Sequence, residues 1–417
     1  MYSSAPKKVL SLFTGCGGMD LGFEGGFCVH RKSINECIHP HWMSETDAHK
    51  TWIKLPTLHF ETVFANDILP AAYKAYSQYF INVKGSNAVY WLDSIVSLVK
   101  RYQLGDDSIF PQVDVVTGGF PCQDFSVAGK RLGFDSHKGH HGRILSDEDE
   151  PTEENRGKLY MWMRKVVEIT RPKVFVAENV KGLASLADVK KIIEADFRSI
   201  GDDGYLVITA PVLKAYEYGV PQSRERVIFL GFRKDALTND ALAALSQPEI
   251  AVEWNPYPLI THGKSQGLMP FVTTGDVLSD LCEPEESSDY SHRAYSKAKW
   301  YGTHVQGQTE INLNGIGPTI RAEHHGNIEY RRLSSEHGGK HQEELIKGLP
   351  ERRLSVRECA RIQTFPDDYE FVRPRSVYDD NLLSASEGYK VIGNAVPPLL
   401  AYNIAHRLDQ LWPKLFK

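Results

Sequence analysis

A cysteine at a strand-to-loop junction is the residue of this sequence best placed to act as a nucleophile. Residues 113–130 read VDVVTGGFPCQDFSVAGK. Their β-branched start predicts a strand that ends at Gly118 and Gly119, and Pro121 stiffens the loop that follows. Free cysteines usually serve as small buried hydrophobic residues. Cys122, however, lies in a loop at the tip of a rigid strand, and such a loop can close over a substrate.

A carboxylate and two arginines follow other predicted strands. Glu178 comes directly after the five core-type residues 173–177, so it is better placed to face a pocket than a plain turn residue would be. Arg224 and Arg226 lie where a strand over residues 227–232 begins. Two arginines at a strand edge can form surface ion pairs or contact a substrate, and the sequence leaves both uses open.

A glycine-rich turn near the N-terminus is a candidate ligand site. The short apolar strand over residues 9–13 leads into Gly15-Cys16-Gly17-Gly18 and then into a helix start. Glycines there allow a tight turn and a close approach of a ligand to the backbone, although such turns are common. The dinucleotide pattern G-x-G-x-x-G fails at its last position, which Asp20 occupies, and this counts against NAD.

Acidic residues follow the next two predicted strands. Asp67 ends a strand that begins at Thr62. Its carboxylate can accept hydrogen bonds from ribose hydroxyls or cap a helix predicted over residues 70–79. Asp93 precedes another helical stretch, and ligand contact and helix capping are both open for it.

Taken in order, these segments resemble the motifs of the C5-cytosine DNA methyltransferases. The resemblance is carried by the glycine turn at 15–18, by GFPCQ at 119–123, by ENV at 178–180 and by QSRER at 222–226. It spans nearly the whole chain apart from roughly residues 233–317. It implies an α/β, Rossmann-like methyltransferase fold with a mostly parallel sheet and a smaller, loop-rich target-recognition domain.

The resemblance also implies a reaction, DNA (cytosine-5-)-methylation with S-adenosyl-L-methionine as the cofactor. The C5 carbon of cytosine is a poor nucleophile, but addition of the Cys122 thiolate to C6 enables it to attack a sulfonium methyl group. A thiol is only a few per cent ionised at pH 7, and Arg224, or another cation over the loop, would raise that fraction. Glu178 would act at N3 and Arg226 would hold O2. The target base must flip out of the duplex to reach Cys122.

Further residues are matched to ligands by the same resemblance. The implied cofactor contacts are Phe13, Gly15, Gly17, Gly18, Asp67, Ile68, Asp93, Pro121, Asn394 and Ala395. The implied DNA contacts are Gln123, Ser126, Arg156, Arg321 and His324. No metal site is expected, because the six cysteines are scattered and form no C-x-x-C pair.

The chain is predicted to form two domains. Residues 1–233, completed by 385–417, would bind the cofactor and perform the chemistry, and residues 234–384 would form the target-recognition domain and hinge. Within the second domain, the arginine-rich stretch 352–366 is predicted to be a helix that either contacts phosphates or packs at the hinge.

Two insertions, at about 28–60 and 135–156, have no readable role. Trp42 and Trp52 are expected to anchor the first of them to the body of the protein. The second changes from basic to acidic along its length, which is typical of a solvated hairpin.

Composition narrows the class of protein. A chain of 417 residues that is 41% hydrophobic can form one large domain and a smaller one. A net charge of −5 disfavours a protein that coats nucleic acid nonspecifically, but not a specific binder. No apolar run approaches the roughly 20 residues of a membrane span, so we expect an intracellular protein. The resemblance implies a cytoplasmic, bacterial enzyme. It also implies that the enzyme is a monomer whose partners are double-stranded DNA and a functionally paired restriction endonuclease.

Two alternatives stay open at this point. One is the tRNA-directed branch of the same fold family, which would need a recognition domain fitted to an RNA loop. The Gly- and Pro-rich segment 256–339 favours DNA without deciding the matter. The other is a DNA-binding protein that keeps the fold without turnover. The joint presence of Cys122, Glu178 and Arg226 disfavours it.

Overall fold

The computed structural model describes residues 5–47, 49–120, 159–185, 189–201, 204–301, 307–322, 327–341, 343–373 and 383–417. In chain order, its strands are β1 (Lys7–Leu12), β2 (Cys28–His30), β3 (Trp52–Lys54), β4 (Phe60–Asp67), β5 (Val89–Leu92), β6 (Val115–Gly119), β7 (Val174–Val180), β8 (Tyr205–Ile208), β9 (Val212–Lys214), β10 (Glu225–Arg233), β11 (Tyr330–Arg332) and β12 (Arg352–Arg353). Its α-helices are α1 (Gly18–Glu24), α2 (Pro70–Tyr76), α3 (Ile95–Gln103), α4 (Leu159–Thr170), α5 (Val189–Arg198), α6 (Asn239–Leu245), α7 (Thr274–Leu278), α8 (Tyr290–Arg293), α9 (Glu343–Ile346), α10 (Val356–Ile362), α11 (Ala385–Asn394) and α12 (Pro398–Leu415).

A central sheet organises the described part of the chain. Its strand order is β5-β4-β1-β6-β7-β10-β8, and β9 also pairs with β10. Strands β5, β4, β1, β6 and β7 run parallel, whereas β10 is antiparallel to both β7 and β8. The prediction of an α/β, Rossmann-like fold with a mostly parallel sheet is therefore confirmed. The carboxyl ends of the parallel strands meet at one edge, where ligands bind in folds of this type.

Both faces of the sheet are covered, as expected for parallel strands. Successive side chains of a strand point to opposite faces, and in β1 Val9 joins one hydrophobic core whereas Leu10 and Leu12 join the other. Helices α1 and α12 pack together in the first core, and α3, α4 and α5 contribute to the second. No helix in the described ranges is both long enough and apolar enough to cross a membrane.

The C-terminal segment returns to the N-terminal helix, as the resemblance implies. A Cβ atom added at Gly22 would lie 2.4 Å from the Ala401 Cβ, so α1 and α12 approach as closely as two backbones allow. A Cβ atom at Gly18 would lie 2.3 Å from the Val396 carbonyl oxygen. The glycines of α1 therefore serve close packing as well as the turn that precedes it.

The predicted anchors of the first insertion are confirmed. Trp42 is buried, and its ring lies 4.8 Å from Tyr402 and 5.1 Å from His406 of α12. Trp52 lies on β3, and the Arg361 guanidinium stacks 4.6 Å from the centre of its ring. The insertion thus contacts both the last helix and the arginine-rich helix α10.

Proline determines where two predicted elements break. The sequence predicts one last helix that opens at residues 388–398 and runs to Leu411, but residues 388–394 belong to a separate helix, α11, which ends before Ala395. Pro397 and Pro398 prevent the helix from running through, because the residue before a proline avoids the helical conformation. The sequence likewise predicts one strand over residues 205–212, but β8 ends at Ile208 and β9 begins after Pro211.

The arginine-rich stretch contributes to packing. The helix predicted over residues 352–366 is shorter than expected. Its first two residues form strand β12, and α10 begins only after Ser355, whose side chain caps the helix. Four of its arginines are buried: Arg352, Arg353, Arg357 and Arg361. Arg352 donates two hydrogen bonds to Glu358, at 2.7 and 3.0 Å. Burial alone would raise the pKa of Glu358, but Arg352 lowers it to about 2, so this pair stabilises the fold at neutral pH. For these four arginines the hinge-packing alternative is the one that the structure supports.

The packing at Gly18 can be tested with one methyl group. Gly18→Ala should lower the free energy of unfolding by about 1–3 kcal/mol, because the Val396 backbone must shift to admit the new Cβ. The measurement is urea unfolding at equilibrium. Gly315→Ala is the control, since its Cβ would meet only the Asn312 side chain, which can move aside. Equal stability of the Gly18→Ala variant and the unmodified protein would contradict the close approach.

Candidate active site

The Glu178 carboxylate lies directly over the end of the neighbouring strand. The parallel register of β6 and β7 pairs Gly119 with Glu178. A Cβ at Gly119 would be 3.0 Å from Glu178 Oε2, so the missing side chain leaves room for this carboxylate. Glu178 is buried, in agreement with the expectation that it faces inward. The chain leaves β6 at this point and enters the segment that contains Cys122.

Arg226 meets Glu178 across β7 and β10. Its Nε lies 2.5 Å from Glu178 Oε1, and its Nη1 donates to the Glu225 carbonyl oxygen at 2.8 Å. Only 11% of each of the two ion-paired side chains is exposed. A guanidinium and a carboxylate held together at a strand tip can present hydrogen-bonding groups to the polar edge of a planar base.

Asn179 holds the start of the cysteine segment, and sequence reasoning did not single it out. Its Nδ2 donates to the Phe120 carbonyl oxygen at 3.2 Å, and its Oδ1 accepts from the Val180 amide at 2.8 Å. The side chain is buried. An amide next to Glu178 at a strand end was the available signal, because an amide side chain there can bond neighbouring backbone in both directions.

Arg224 is buried and faces away from solvent. Its Nη1 donates to the Ile320 carbonyl oxygen and its Nη2 to the Gly393 carbonyl oxygen, both at 3.0 Å. Burial and the neighbouring Arg226 lower the pKa of Arg224, while Glu178 raises it. A surface ion pair is therefore excluded for Arg224. Its expected role as the cation that activates Cys122 stays a prediction.

The glycine turn adopts conformations that suit glycine. Phe13, Gly15 and Gly17 all have positive φ, at 51°, 59° and 77°. A Cβ at Gly17 would lie 2.4 Å from the ring of Phe80, whereas one at Gly15 would meet nothing within 4 Å. The turn is thus packed on one side and open at Gly15, where a ligand can approach the backbone.

Asp67 ties the turn to the neighbouring strand. Its Oδ2 accepts from the Gly15 amide and its Oδ1 from the Leu69 amide, both at 2.9 Å. Burial raises the pKa of Asp67, although these two hydrogen bonds act to lower it. Leu69 itself is the N-cap of α2, so Asp67 does not cap that helix directly. Ile68 is 40% exposed and presents apolar surface next to the carboxylate.

Asn66 joins the tips of two further strands. Its Nδ2 donates to the Trp91 carbonyl oxygen at 2.9 Å and to the Asp93 carbonyl oxygen at 2.8 Å. Its own carbonyl oxygen accepts from the Thr14 amide at 2.9 Å. Asp93 Oδ1 accepts from the Ser94 amide at 2.7 Å. The structure therefore brings Asp93 together with the glycine turn and Asp67 at one edge of the sheet.

The C-terminal residues matched to the cofactor also lie beside the turn. The Ala395 Cβ is 3.1 Å from the position that a Cβ at Gly18 would take. Ala395 is buried and Asn394 is exposed. The N- and C-terminal parts of the predicted cofactor site are thus adjacent in space.

The predicted DNA contacts are described only in part. Arg321 donates through Nη2 to the Asn327 carbonyl oxygen at 3.2 Å and to Glu329 Oε1 at 3.0 Å, and about a quarter of its side chain is exposed. Several predicted site residues lie outside the described ranges, namely Pro121, Cys122, Gln123, Ser126, Arg156 and His324. In the part of the chain that the structure describes, no three His, Cys, Asp or Glu residues are grouped so as to hold a metal ion.

A buried chain of polar groups runs beneath the glycine turn. Ser11 Oγ donates to Asp20 Oδ2 at 3.1 Å, and Thr14 Oγ1 donates to Ser11 Oγ at 2.7 Å. Asp20 is buried in α1, and within the described ranges its Oδ1 accepts no hydrogen bond. Burial raises the pKa of Asp20 to about 7, and Glu24 adds to the rise. The turn therefore rests on a carboxyl group that is costly to ionise.

The chain as a whole matches a known protein family. The pattern described as "C-5 cytosine-specific DNA methylase" matches residues 7–410. The chain is 32% identical to the Type II methyltransferase M.BspRI of Lysinibacillus sphaericus, over 98% of this chain and 83% of the relative. It is likewise 32% identical to the Type II methyltransferase M.BsuRI of Bacillus subtilis, over 95% of this chain and 78% of the relative. The solved structure of the S. pombe Dnmt2 methyltransferase is similar in fold, with 16% identity and a TM-score of 0.54 over 97% of this chain and 99% of that one.

The buried carboxyl of Asp20 predicts a specific pH dependence. A folded-state pKa above the unfolded one means that the folded protein binds the extra proton, so this group's contribution to stability falls as pH rises from about 4 to about 7. Asp20→Asn removes the titration. Relative to the unmodified protein, the variant should therefore gain free energy of unfolding between pH 5 and pH 8. Thermal or urea unfolding at both pH values measures this, and a difference between the two proteins that does not change with pH would contradict it.

Proposed function

The chain belongs to the C-5 cytosine-specific DNA methylase family, and we propose that it methylates C5 of a flipped cytosine in a short, specific duplex sequence through a covalent Cys122 adduct. Its DNA (cytosine-5-)-methyltransferase activity follows from the family match and from the Type II relatives. The observation that carries the proposed mechanism is the buried ion pair of Glu178 and Arg226 beside Gly119, the strand end that leads to Cys122.

The proposed chemistry begins with addition of the Cys122 thiolate to C6 of cytosine. As the S–C6 bond forms, electron density moves into the ring, and Glu178 supplies a proton or a hydrogen bond at N3. Arg226 holds O2, and its contact with Glu178 Oε1 fixes the angle between the two groups. The C5 carbon would then take the methyl group from a sulfonium donor, whose methyl–sulfur bond breaks and leaves a neutral thioether. Transfer of the C5 proton to a base, return of the N3 proton to Glu178 and cleavage of the S–C6 bond release 5-methylcytosine and restore the thiolate.

The residues beside the glycine turn fit S-adenosyl-L-methionine. The open side of Gly15 admits a ligand, the Asp67 and Asp93 carboxylates can accept hydrogen bonds from hydroxyl and amino groups, and the exposed Ile68 can lie against an adenine ring. Phe13 precedes the turn, and Asn394 borders it. When bound, the cofactor supplies an electrophilic methyl group on a sulfonium. The chain's task there is to orient that methyl group toward the base held by Glu178 and Arg226.

Base flipping and target choice are assigned to the remaining predicted contacts. Extruding a base costs a few kcal/mol, and closure of the Cys122 segment, with Gln123 and Ser126, would offset that cost. Arg156 would contact the DNA backbone, and Arg321 and His324 would read base edges from the predicted recognition domain.

We further propose a role in restriction-modification. The two relatives compared above are Type II methyltransferases. Methylation at one short sequence would therefore protect host DNA from a cognate endonuclease. The enzyme would act as a monomer on double-stranded DNA.

Replacement of the nucleophile tests the mechanism directly. Cys122→Ser should abolish methyl transfer while leaving cofactor binding intact, because a serine hydroxyl is a far weaker nucleophile than a thiolate at neutral pH. The protein is expressed in a methylation-free bacterial host, and protected cytosines are mapped by bisulfite sequencing. Cofactor binding is measured by calorimetry. Protected cytosines in the Cys122→Ser culture would refute the covalent route. An absence of protected cytosines in the culture that expresses the unmodified protein would refute DNA methylation.

Replacement of the buried carboxylate tests the N3 assignment. Glu178→Gln should slow single-turnover methyl transfer by about 10²–10⁴-fold, because the amide cannot deliver a proton. Glu225→Gln is the matched control. Glu225 lies on the same strand as Arg226 and forms an ion pair with Lys181. Its replacement removes that ion pair and should leave the rate of methyl transfer near normal. A near-normal rate for Glu178→Gln, at an unchanged unfolding midpoint, would remove Glu178 from the reaction.

A further inference from the structure

We propose that Gln222 and Arg224 are positioning residues that hold the backbone at Ile320 and at residues 392–395 against the start of β10. This inference rests on the proposed function, because those two segments carry predicted DNA and cofactor contacts. It gives Arg224 a role different from that of a cation over Cys122. The two roles predict different behaviour for a lysine at position 224.

Arg224 joins two segments that are remote in sequence. Its side chain is 2% exposed, and its two terminal nitrogens bond the carbonyl oxygens of Ile320 and Gly393. Among the residues that the structure describes, the Nε atom has no hydrogen-bond partner, so the hydrogen bonds of this guanidinium seen there go to those two carbonyls. A planar fork can span two acceptors in this way, whereas a lysine ammonium is a point charge.

Gln222 binds the other backbone group of the same residue, Ile320. Its Oε1 accepts from the Ile320 amide at 2.9 Å, so both backbone groups of Ile320 are bonded by side chains two residues apart. Gln222 is fully buried. Backbone bonds reinforce the contact, since the Ser223 amide donates to the Gly317 carbonyl oxygen at 2.8 Å and the Gly317 amide to Pro221 at 3.0 Å.

A second glutamine extends the contact to the C-terminal segment. Gln222 Nε2 donates to Gln363 Oε1 at 2.5 Å. Gln363 Nε2 in turn donates to the Ile392 carbonyl oxygen at 3.1 Å and to the Ala395 carbonyl oxygen at 2.6 Å. Buried amide networks of this kind specify one arrangement strongly, because any displacement leaves a polar group unpaired.

The residues that this network holds are each followed in sequence by a predicted ligand contact. Ile320 precedes Arg321, a predicted DNA contact, and Gly393 precedes Asn394, a predicted cofactor contact. A Cβ at Gly393 would lie 2.0 Å from the Arg321 carbonyl carbon, so the two segments touch. Arg226, which would hold the cytosine, is two residues from Arg224. The network therefore sets the distances between the DNA-reading, cofactor-binding and cytosine-holding groups.

The test uses two substitutions at position 224. If Arg224 is a positioning residue, Arg224→Lys and Arg224→Gln should both raise the KM for DNA by about tenfold, and neither should move the midpoint of the kcat–pH profile. If it is the cation that activates Cys122, Arg224→Lys should behave normally and Arg224→Gln should shift that midpoint upward. The second pattern would overturn the proposal.

Hydrogen exchange supplies a readout that does not need turnover. Peptides covering residues 317–322 and 388–396 should exchange faster in Arg224→Lys, in Gln222→Ala and in Gln363→Ala than in the unmodified protein. The two glutamine variants test the network even if a position-224 variant fails to fold. Arg233→Lys is the control, because Arg233 lies at the far end of the same strand and bonds Asp235. Unchanged exchange in both peptides would overturn the proposal. If the unmodified protein neither binds cofactor nor methylates DNA, the proposed function is wrong. The exchange comparison would still show whether Gln222 and Arg224 hold the two segments in place.

Discussion

The buried ion pair of Glu178 and Arg226 depends on a single antiparallel strand. In a wholly parallel sheet, the ends of neighbouring strands meet one another, and the start of a strand lies at the opposite edge. Because β10 runs against β7, the beginning of β10 lies beside the end of β7, and Arg226 reaches Glu178. The reversal therefore places the first residues of β10 at the edge where the parallel strands end.

The same edge is held together by side chains that bond backbone. The Asn66 side chain joins β4 to the end of β5, Asn179 joins β7 to the end of β6, and Gln222 joins the start of β10 to the segment at Ile320. Loops at strand tips have few backbone partners of their own, and a buried amide can satisfy donors and acceptors on both sides. Neutral amides therefore fix this edge together with the charged groups of Asp67 and Arg224, which also bond backbone.

Charge has a different use in the segment between β10 and α11. No described helix of that segment is longer than seven residues. Buried arginines of β12 and α10 pair with acidic side chains there, Arg352 with Glu358 and Arg357 with Asp289 at 2.6 Å. Arg353 donates to four backbone carbonyl oxygens, including that of Trp300 at 3.1 Å, and its guanidinium lies 4.2 Å from the centre of the Tyr330 ring. Such pairs are directional, and they order loops that hydrophobic contact alone would leave poorly defined.

The sequence by itself determined the family, the α/β class and the strand-tip placement of Glu178, because motif spacing and β-branched runs are local properties. It could not decide between two uses of an arginine, since Arg224 and Arg226 are two residues apart in one motif and alike in type. Only the tertiary structure separated them. Arg226 faces a carboxylate on the next strand, whereas Arg224 faces carbonyl groups nearly a hundred or more residues away in sequence. Partners that distant leave no local trace, so burial and pairing appear only when the chain is folded.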